Sequence, residues 1–253
     1  MVKIRIEIPS KDNDILLRKN GSMKAEVEQL KKENIADIDI LYCQYNTLTL
    51  TQFGNKAIEE CKEDYDYLIL MHSDVSLSLY NFVKHLVKTE GRYDIVGVAG
   101  TKKLLISYSP LTWFTGSHNY PNDRYGRVTH NHNGIMIESF FNKADPTALD
   151  TEVVTIDGLL MCFNKKTMQN EKARFDERFA YDFYDLDFCL NVRINTDLKI
   201  GVIIMPTVHN SLGRSILKEE YKIPDKMFHD KWYNGEYLKT KQQEKTNDNN
   251  NIN

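Results

Sequence analysis

Four short segments carry side chains whose types and spacing can do chemistry. In Tyr67-Leu68-Ile69-Leu70-Met71-His72-Ser73-Asp74-Val75 an apolar run ends in an imidazole and a carboxylate two residues apart. A carboxylate just beyond the carboxyl end of a buried strand can hold Mg²⁺ or Mn²⁺ and, through the ion, a diphosphate. The plainer role for Asp74 is to cap the helix that follows. In Tyr184-Asp185-Leu186-Asp187 two carboxylates lie on a stretch of helical period, with Leu186, Leu190 and Ile194 spaced for a buried stripe. Successive helical residues turn by about 100°, so Asp185 and Asp187 face different ways. One can enter a cleft and take a proton from a hydroxyl while the other is held structurally, or both can simply complement the helix dipole. Asp157-Gly158 ends another apolar run. Gly allows close backbone approach there, and Asp157 either binds an acceptor hydroxyl or makes a plain turn. Finally, His209 follows Ile203-Ile204-Met205-Pro206-Thr207-Val208, where a neutral imidazole either completes a metal site or is an ordinary core or surface histidine.

The elements that must position these groups alternate between short apolar runs and longer stretches of helical period. The pattern predicts strands at Val2–Ile8, Ile38–Cys43, Tyr67–Met71, Ile95–Ala99, Val153–Phe163 and Ile200–Met205. It predicts helices around Met23–Glu33, Thr51–Glu63 and Leu79–Thr89, the second with a buried stripe of Phe53, Ala57, Ile58 and Cys61. Strand–helix alternation of this kind implies an α/β fold, a mostly parallel central sheet flanked by helices. The region Thr101–Glu152, rich in Gly, Pro, Asn and aromatic residues, reads as long excursions able to build an acceptor site.

At 253 residues with a net charge of -3, the chain is long enough for a substantial core and offers no general attraction to nucleic acid. The four cysteines form no CxxC pair and sit in apolar stretches, which predicts buried free thiols and a reducing, cytoplasmic location. The alternating start, Met1-Val2-Lys3-Ile4-Arg5-Ile6-Glu7-Ile8, lacks the apolar block of a signal peptide.

Taken in order, the four segments resemble the GT-A glycosyltransferases, particularly glycosyltransferase family 2 and its relatives with a histidine in the first metal-motif position. An Asn-containing helix, Gly54-Asn55-Lys56-Ala57-Ile58, precedes the DxD-like His72-Ser73-Asp74. Asp157-Gly158 and the Glu-Asp-x-Asp-like Tyr184-Asp185-Leu186-Asp187 follow, then the late His209. The resemblance spans roughly residues 1–215 and is most specific over Phe175–Leu190. It implies a GT-A, Rossmann-like nucleotide-diphospho-sugar transferase fold. It implies that Asp74 coordinates Mn²⁺ or Mg²⁺ on the donor diphosphate with His209 a further ligand, and that His72, Pro9, Ser10, Gln44, Asn46 and Asn55 fall on the donor-binding side. Asp185 is then the general base and Asp157 an acceptor or donor-sugar contact, in a single displacement with inversion. The implied partners are a nucleotide-sugar donor and a glycan, lipid-linked or protein acceptor. His72 departs from the family's usual Asp, and Tyr184 from its usual Glu.

Other readings carry less. His130-Asn131-His132 with His118 lies in an Asn-rich stretch read as a loop and lacks the spacing of common zinc sites. Trp113, Phe114, Tyr120 and Tyr125 either stack on a sugar or anchor their region to the core. Ile216–Leu238 is amphipathic and docks on the core, a partner subunit or a membrane surface, giving a C-terminal extension over 216–240 before a polar tail over 241–253. With no glycine after the first strand, a nucleotidyltransferase is disfavoured. A nucleotide-sugar hydrolase and a non-catalytic nucleotide- or sugar-binding module stay as alternatives.

Overall fold

The structure, a computed structural model, describes residues 1–10, 14–89, 91–102, 123–132, 135–140, 147–210 and 219–232. The chain opens with β1 (Val2–Pro9), α1 (Asp14–Lys32), β2 (Ala36–Cys43), α2 (Leu50–Cys61), β3 (Tyr67–Met71), β4 (Val75–Leu77) and α3 (Leu79–Lys88). The apolar stripe read in α2 is its buried face: Phe53, Ala57, Ile58 and Cys61 pack inward, and a Thr49–Gln52 capping box closes its amino end. Ser78 caps α3, so Asp74, on the far side of β4, is not that helix's cap. α1 begins well before the expected Met23, because its upstream turns carry no periodic stripe for the sequence to reveal.

Two apolar runs read as single strands break in two, and in a third the strand stops early and a new one begins just beyond it. Ile95–Ala99 becomes β5 (Ile95–Gly97) and β6 (Ala99–Thr101). Beyond β7 (Arg124–His132), β8 (Ile135–Phe140) and β9 (Asp150–Glu152), the run Val153–Phe163 becomes β10 (Thr155–Ile156) and β11 (Leu160–Asn164), with Asp157-Gly158 in the gap. After α4 (Lys165–Gln169) and α5 (Tyr184–Asn195), Ile200–Met205 becomes β12 (Ile200–Ile203) followed by β13 (Pro206–His209), and α6 (Glu219–Trp232) ends the described chain. Each break has the same cause. The chain leaves one sheet and enters another.

The large sheet has seven strands in the order β2-β1-β3-β11-β5-β12-β9. β2, β1 and β3 pair in parallel, as do β5 and β12, while β11 and β9 run against their neighbours. Five of the seven strands therefore point one way, and the α/β sheet flanked by helices is the architecture expected. The second sheet has six strands, β10-β6-β7-β13-β4 with β8 on β7. The core divides into two clusters. One joins β1 to Met23 and Leu30 of α1 and to Leu79, Phe82, Val83 and Leu86 of α3. The other gathers side chains of α2, α4, α5 and α6 with Phe163 of β11 and Phe179 from the segment before α5. All four cysteines are unpaired thiols, three of them buried, and burial pushes Cys61 up to about 12. Among the described residues no helix is long and apolar enough to cross a membrane.

Within the Thr101–Glu152 region, Tyr125 is a buried anchor on β7 and Lys102 rests over its ring. Trp113, Phe114, His118 and Tyr120 lie outside the described residues, as does the tail 241–253. α6 docks on the core through fully buried Phe228 and Trp232.

Candidate functional site

His72 stands at the end of the large sheet, its backbone N–H donating to the Leu159 carbonyl at 3.0 Å. The tight turn that follows returns the Val75 N–H to the His72 carbonyl, and carries Asp74 across to the small sheet. There β4 pairs with β13 so that Val75 lies opposite His209, and the Asn210 N–H locks onto the Asp74 carbonyl at 2.8 Å. One ligand atom each from His72, Asp74 and His209 falls within 4.8 Å of the others. His209 Nε2 is 3.5 Å from the Asp74 carboxylate. Burial opposes ionisation of Asp74, but hydrogen bonding and charge from His209, with the charge of His72, outweigh it and hold the carboxyl below its ordinary range. An ionised carboxylate with two imidazoles is a donor set for a divalent first-row cation. Bond lengths of about 2.0–2.2 Å place ligand atoms close to this spacing, so the residues fit such an ion with small adjustment.

Beside this cluster, in the gap between β10 and β11, the Gly158 N–H donates to one Asp185 oxygen at 2.8 Å and the Leu186 N–H to the other at 2.9 Å. Asp157 folds back onto the Leu159 N–H at 3.0 Å in an Asx turn. Asp157-Gly158 is thus a turn, and the turn delivers the Gly158 N–H to Asp185. Burial first, then the charge of Asp157, push the Asp185 carboxyl up to about 7 against the pull of those N–H groups. Each carboxylate oxygen keeps a second lone pair for a substrate proton.

Tyr184 joins the two halves. Its buried hydroxyl donates to the Gly158 carbonyl at 3.0 Å and lies 2.9 Å from His72 Nε2. Burial, with the charges of Asp185, Asp157 and Asp74, holds the phenol well above its ordinary pKa, so it keeps its proton. A Cβ built on residue 158 would overlap this hydroxyl, which explains the glycine. A small cavity of about 20 Å³ lined by Pro9, His72, Gly158, Phe175 and Tyr184 runs alongside.

The helix that carries Asp185 starts from an unusual residue. Phe183, at its N-cap, has φ of 64° and no side-chain cap, a conformation L-residues avoid unless packing enforces it. Here Phe183 is buried against Tyr221 and Phe228 of α6. The second carboxylate, Asp187, is 1% exposed. It accepts from Trp232 Nε1 at 2.8 Å and from Lys231 Nζ at 2.9 Å, and Lys231 also reaches Asp176 at 2.8 Å. Burial raises Asp187 and these donors only partly offset it. The helix phase does separate the two carboxylates, with Asp185 on the Gly158 N–H and Asp187 on Lys231 and Trp232 of α6. In the α5 stripe Leu186 is buried, but Leu190 and Ile194 are only partly covered; Phe188, Cys189 and Val192 fill the interior instead.

The residues expected on the donor side divide. Ser10 and Asn46 meet at the ends of β1 and β2, where Ser10 N–H donates to Cys43 O and Asn46 N–H to Ser10 O, both at 3.0 Å. Gln44 sits in the turn between them, its N–H on Tyr42 O. Pro9 lines the cavity beside His72. Asn55 bonds the segment before α5. Its amide brackets the Phe175 backbone, accepting from the N–H at 2.9 Å and donating to the carbonyl at 3.0 Å, with a further bond to Glu177.

A family profile described as glycosyltransferase like family matches residues 21–247. The chain belongs to the glycosyltransferase-like family. That range takes in His72, Asp74, Asp157, Asp185 and His209 together, and membership assigns the chain to sugar transfer in general. Among solved structures, it is similar to a single-residue variant of Drosophila β1,4-galactosyltransferase 7 in complex with manganese, UDP-Gal and xylobiose, at 13% identity and TM-score 0.47, covering 89% of this chain and 74% of that one. It is similar also to GalNAc-T7 with UDP, GalNAc and Mn²⁺, at 8% identity and TM-score 0.49, covering 83% of this chain and 44% of that one. Likeness of that degree transfers no residue roles. No curated protein sequence matches.

One neighbour of this glycosyltransferase-like site escapes the sequence. His130, expected in a loop, lies on β7 opposite His209 in a parallel pairing, and their rings are 5.5 Å apart. The positions are 79 residues distant, and only a strand assignment for Arg124–His132 could have joined them.

Proposed function

We propose that this glycosyltransferase-like chain moves a sugar from a nucleotide-sugar donor to an acceptor hydroxyl, with a divalent cation and with inversion. The observation that carries the reading is that His72, Asp74 and His209 bring ligand atoms within 4.8 Å of one another, while Tyr184 joins His72 to the Asp157-Gly158 turn that holds Asp185. His72, Asp74 and His209 would hold the ion, which supplies positive charge to a leaving diphosphate. Two imidazoles in the donor set favour Mn²⁺ over Mg²⁺, which prefers oxygen ligands. Pro9, Ser10, Gln44 and Asn46, on the ends of β1 and β2, would receive the nucleoside.

Asp185 would take the acceptor proton. A pKa of about 7 suits that task, since about half of the group is then ionised at neutral pH and the ionised form is far more basic than an ordinary carboxylate. The Gly158 and Leu186 N–H groups fix its oxygens, and Asp157 would bind a sugar hydroxyl while its charge keeps Asp185 basic. A single displacement needs no covalent sugar on the protein.

The test is incubation of the purified chain with a panel of nucleotide sugars and Mn²⁺, with and without chelator, followed by measurement of released nucleoside diphosphate and of transfer to hydroxyl acceptors. Chelator-sensitive transfer supports the reading. Diphosphate release with no dependence on any acceptor would instead indicate a hydrolase, and nucleotide binding without turnover would indicate a binding module.

A further inference from the structure

The two positions at which the chain departs from the family pattern, His72 and Tyr184, touch each other. Their polar atoms are 2.9 Å apart across 112 residues of sequence. The Tyr184 hydroxyl has one hydrogen, and the Gly158 carbonyl 3.0 Å away can only accept. That carbonyl is itself held firmly, because the peptide units on either side are pinned by Gly158 N–H on Asp185 and by His72 N–H on Leu159 O. The phenol therefore spends its hydrogen on Gly158, and toward His72 it offers only a lone pair. His72 must donate from Nε2.

We propose that Tyr184 is a positioning residue, which fixes His72 in its Nε2–H form and so turns Nδ1, the nitrogen carrying the lone pair, into the one that ligates a divalent cation with Asp74 and His209. This inference rests on the reading of that cluster as a cation site. Which ring nitrogen binds a metal is set by the hydrogen bond that the other one makes. The usual orienting partner is a carboxylate or a backbone carbonyl; here a buried phenol relays a carbonyl to the imidazole. A glutamate at position 184 would bring a third carboxylate to the side of Asp157 and Asp185, whereas the tyrosine orients His72 without adding charge. Gly158 is part of the device, since any side chain there would displace the hydroxyl.

Two measurements test this on the full chain. Long-range proton–nitrogen NMR spectra of the histidine rings, with His72 assigned by its loss in His72→Gln, are expected to show the Nε2–H form in the wild type and a mixture in Tyr184→Phe. An Nδ1–H form in the wild type overturns the proposal whether or not metal binds. Calorimetric titration with Mn²⁺ is expected to show Tyr184→Phe binding roughly 10-fold or more weakly than wild type, with an unchanged unfolding temperature establishing that the variant is folded. Equal affinity in a wild type that does bind Mn²⁺ overturns this inference alone. Absence of Mn²⁺ binding by the wild type overturns the cation-site reading instead.

Discussion

Asp185→Asn separates the chemistry from the stability of the site. In the folded protein the Asp185 carboxyl is raised from 3.8 to about 7. Between those values the folded chain holds a proton that the unfolded chain has lost, so stability falls as pH rises through this window and levels off above it. Each pKa unit corresponds to about 1.36 kcal/mol, and a rise of roughly three units sets an upper limit of about 4 kcal/mol. The Asp185 residue is only partly buried, and solvent screening leaves about half of that, about 2 kcal/mol. Asparagine has no charge to bury at any pH. Its amide nitrogen faces a backbone N–H, however, a loss of about 1 kcal/mol that does not vary with pH. The difference between variant and wild type should therefore shift in favour of the variant by about 2 kcal/mol from pH 4 to pH 8. Urea unfolding of both proteins across that range measures it, without any substrate. Parallel pH profiles would refute the claim that Asp185 is held near neutrality. In the transfer assay the same variant should lose orders of magnitude in turnover and retain donor binding.

Lys231→Met leaves Asp187 buried with only Trp232 as donor, and should cost about 3–5 kcal/mol in urea unfolding at neutral pH; the deficit should shrink as acid protonates Asp187. Gly158→Ala forces Tyr184 from its place, for an expected loss of about 1–3 kcal/mol by thermal denaturation, together with weaker Mn²⁺ binding. Asp74→Ala should abolish the Mn²⁺ isotherm while leaving the fold intact, because the backbone carbonyl that holds Asn210 at the β4–β13 junction is kept and the carboxylate's pairing with His209 is partly exposed.

The sequence disclosed the inward face of α2, the strand before His72 and the opposed directions of Asp185 and Asp187, because each depends on periodicity within a few residues. It concealed the division of two apolar runs between two sheets and the early end of a third, since a change of sheet leaves burial and apolar character unaltered. Ile200–Met205 reads as one strand, yet His209 reaches the site only because β13 departs from β12 to pair with β4 and β7. His130 was hidden for the same reason. The role of Asn55 was hidden differently: its amide serves the Phe175 backbone 120 residues away, and nothing in Gly54-Asn55-Lys56 records that distant partner.

His72 is carried by the end of the large sheet, while Asp74 and His209 belong to the margin of the small one. A cation gripping all three would act as a clasp between two layers that otherwise meet through side-chain packing and short backbone crossings. Loading the site should then stiffen the whole seam, so that the protein's resistance to heat climbs with the concentration of free ion. Any loosening between the layers would, in turn, release the ion.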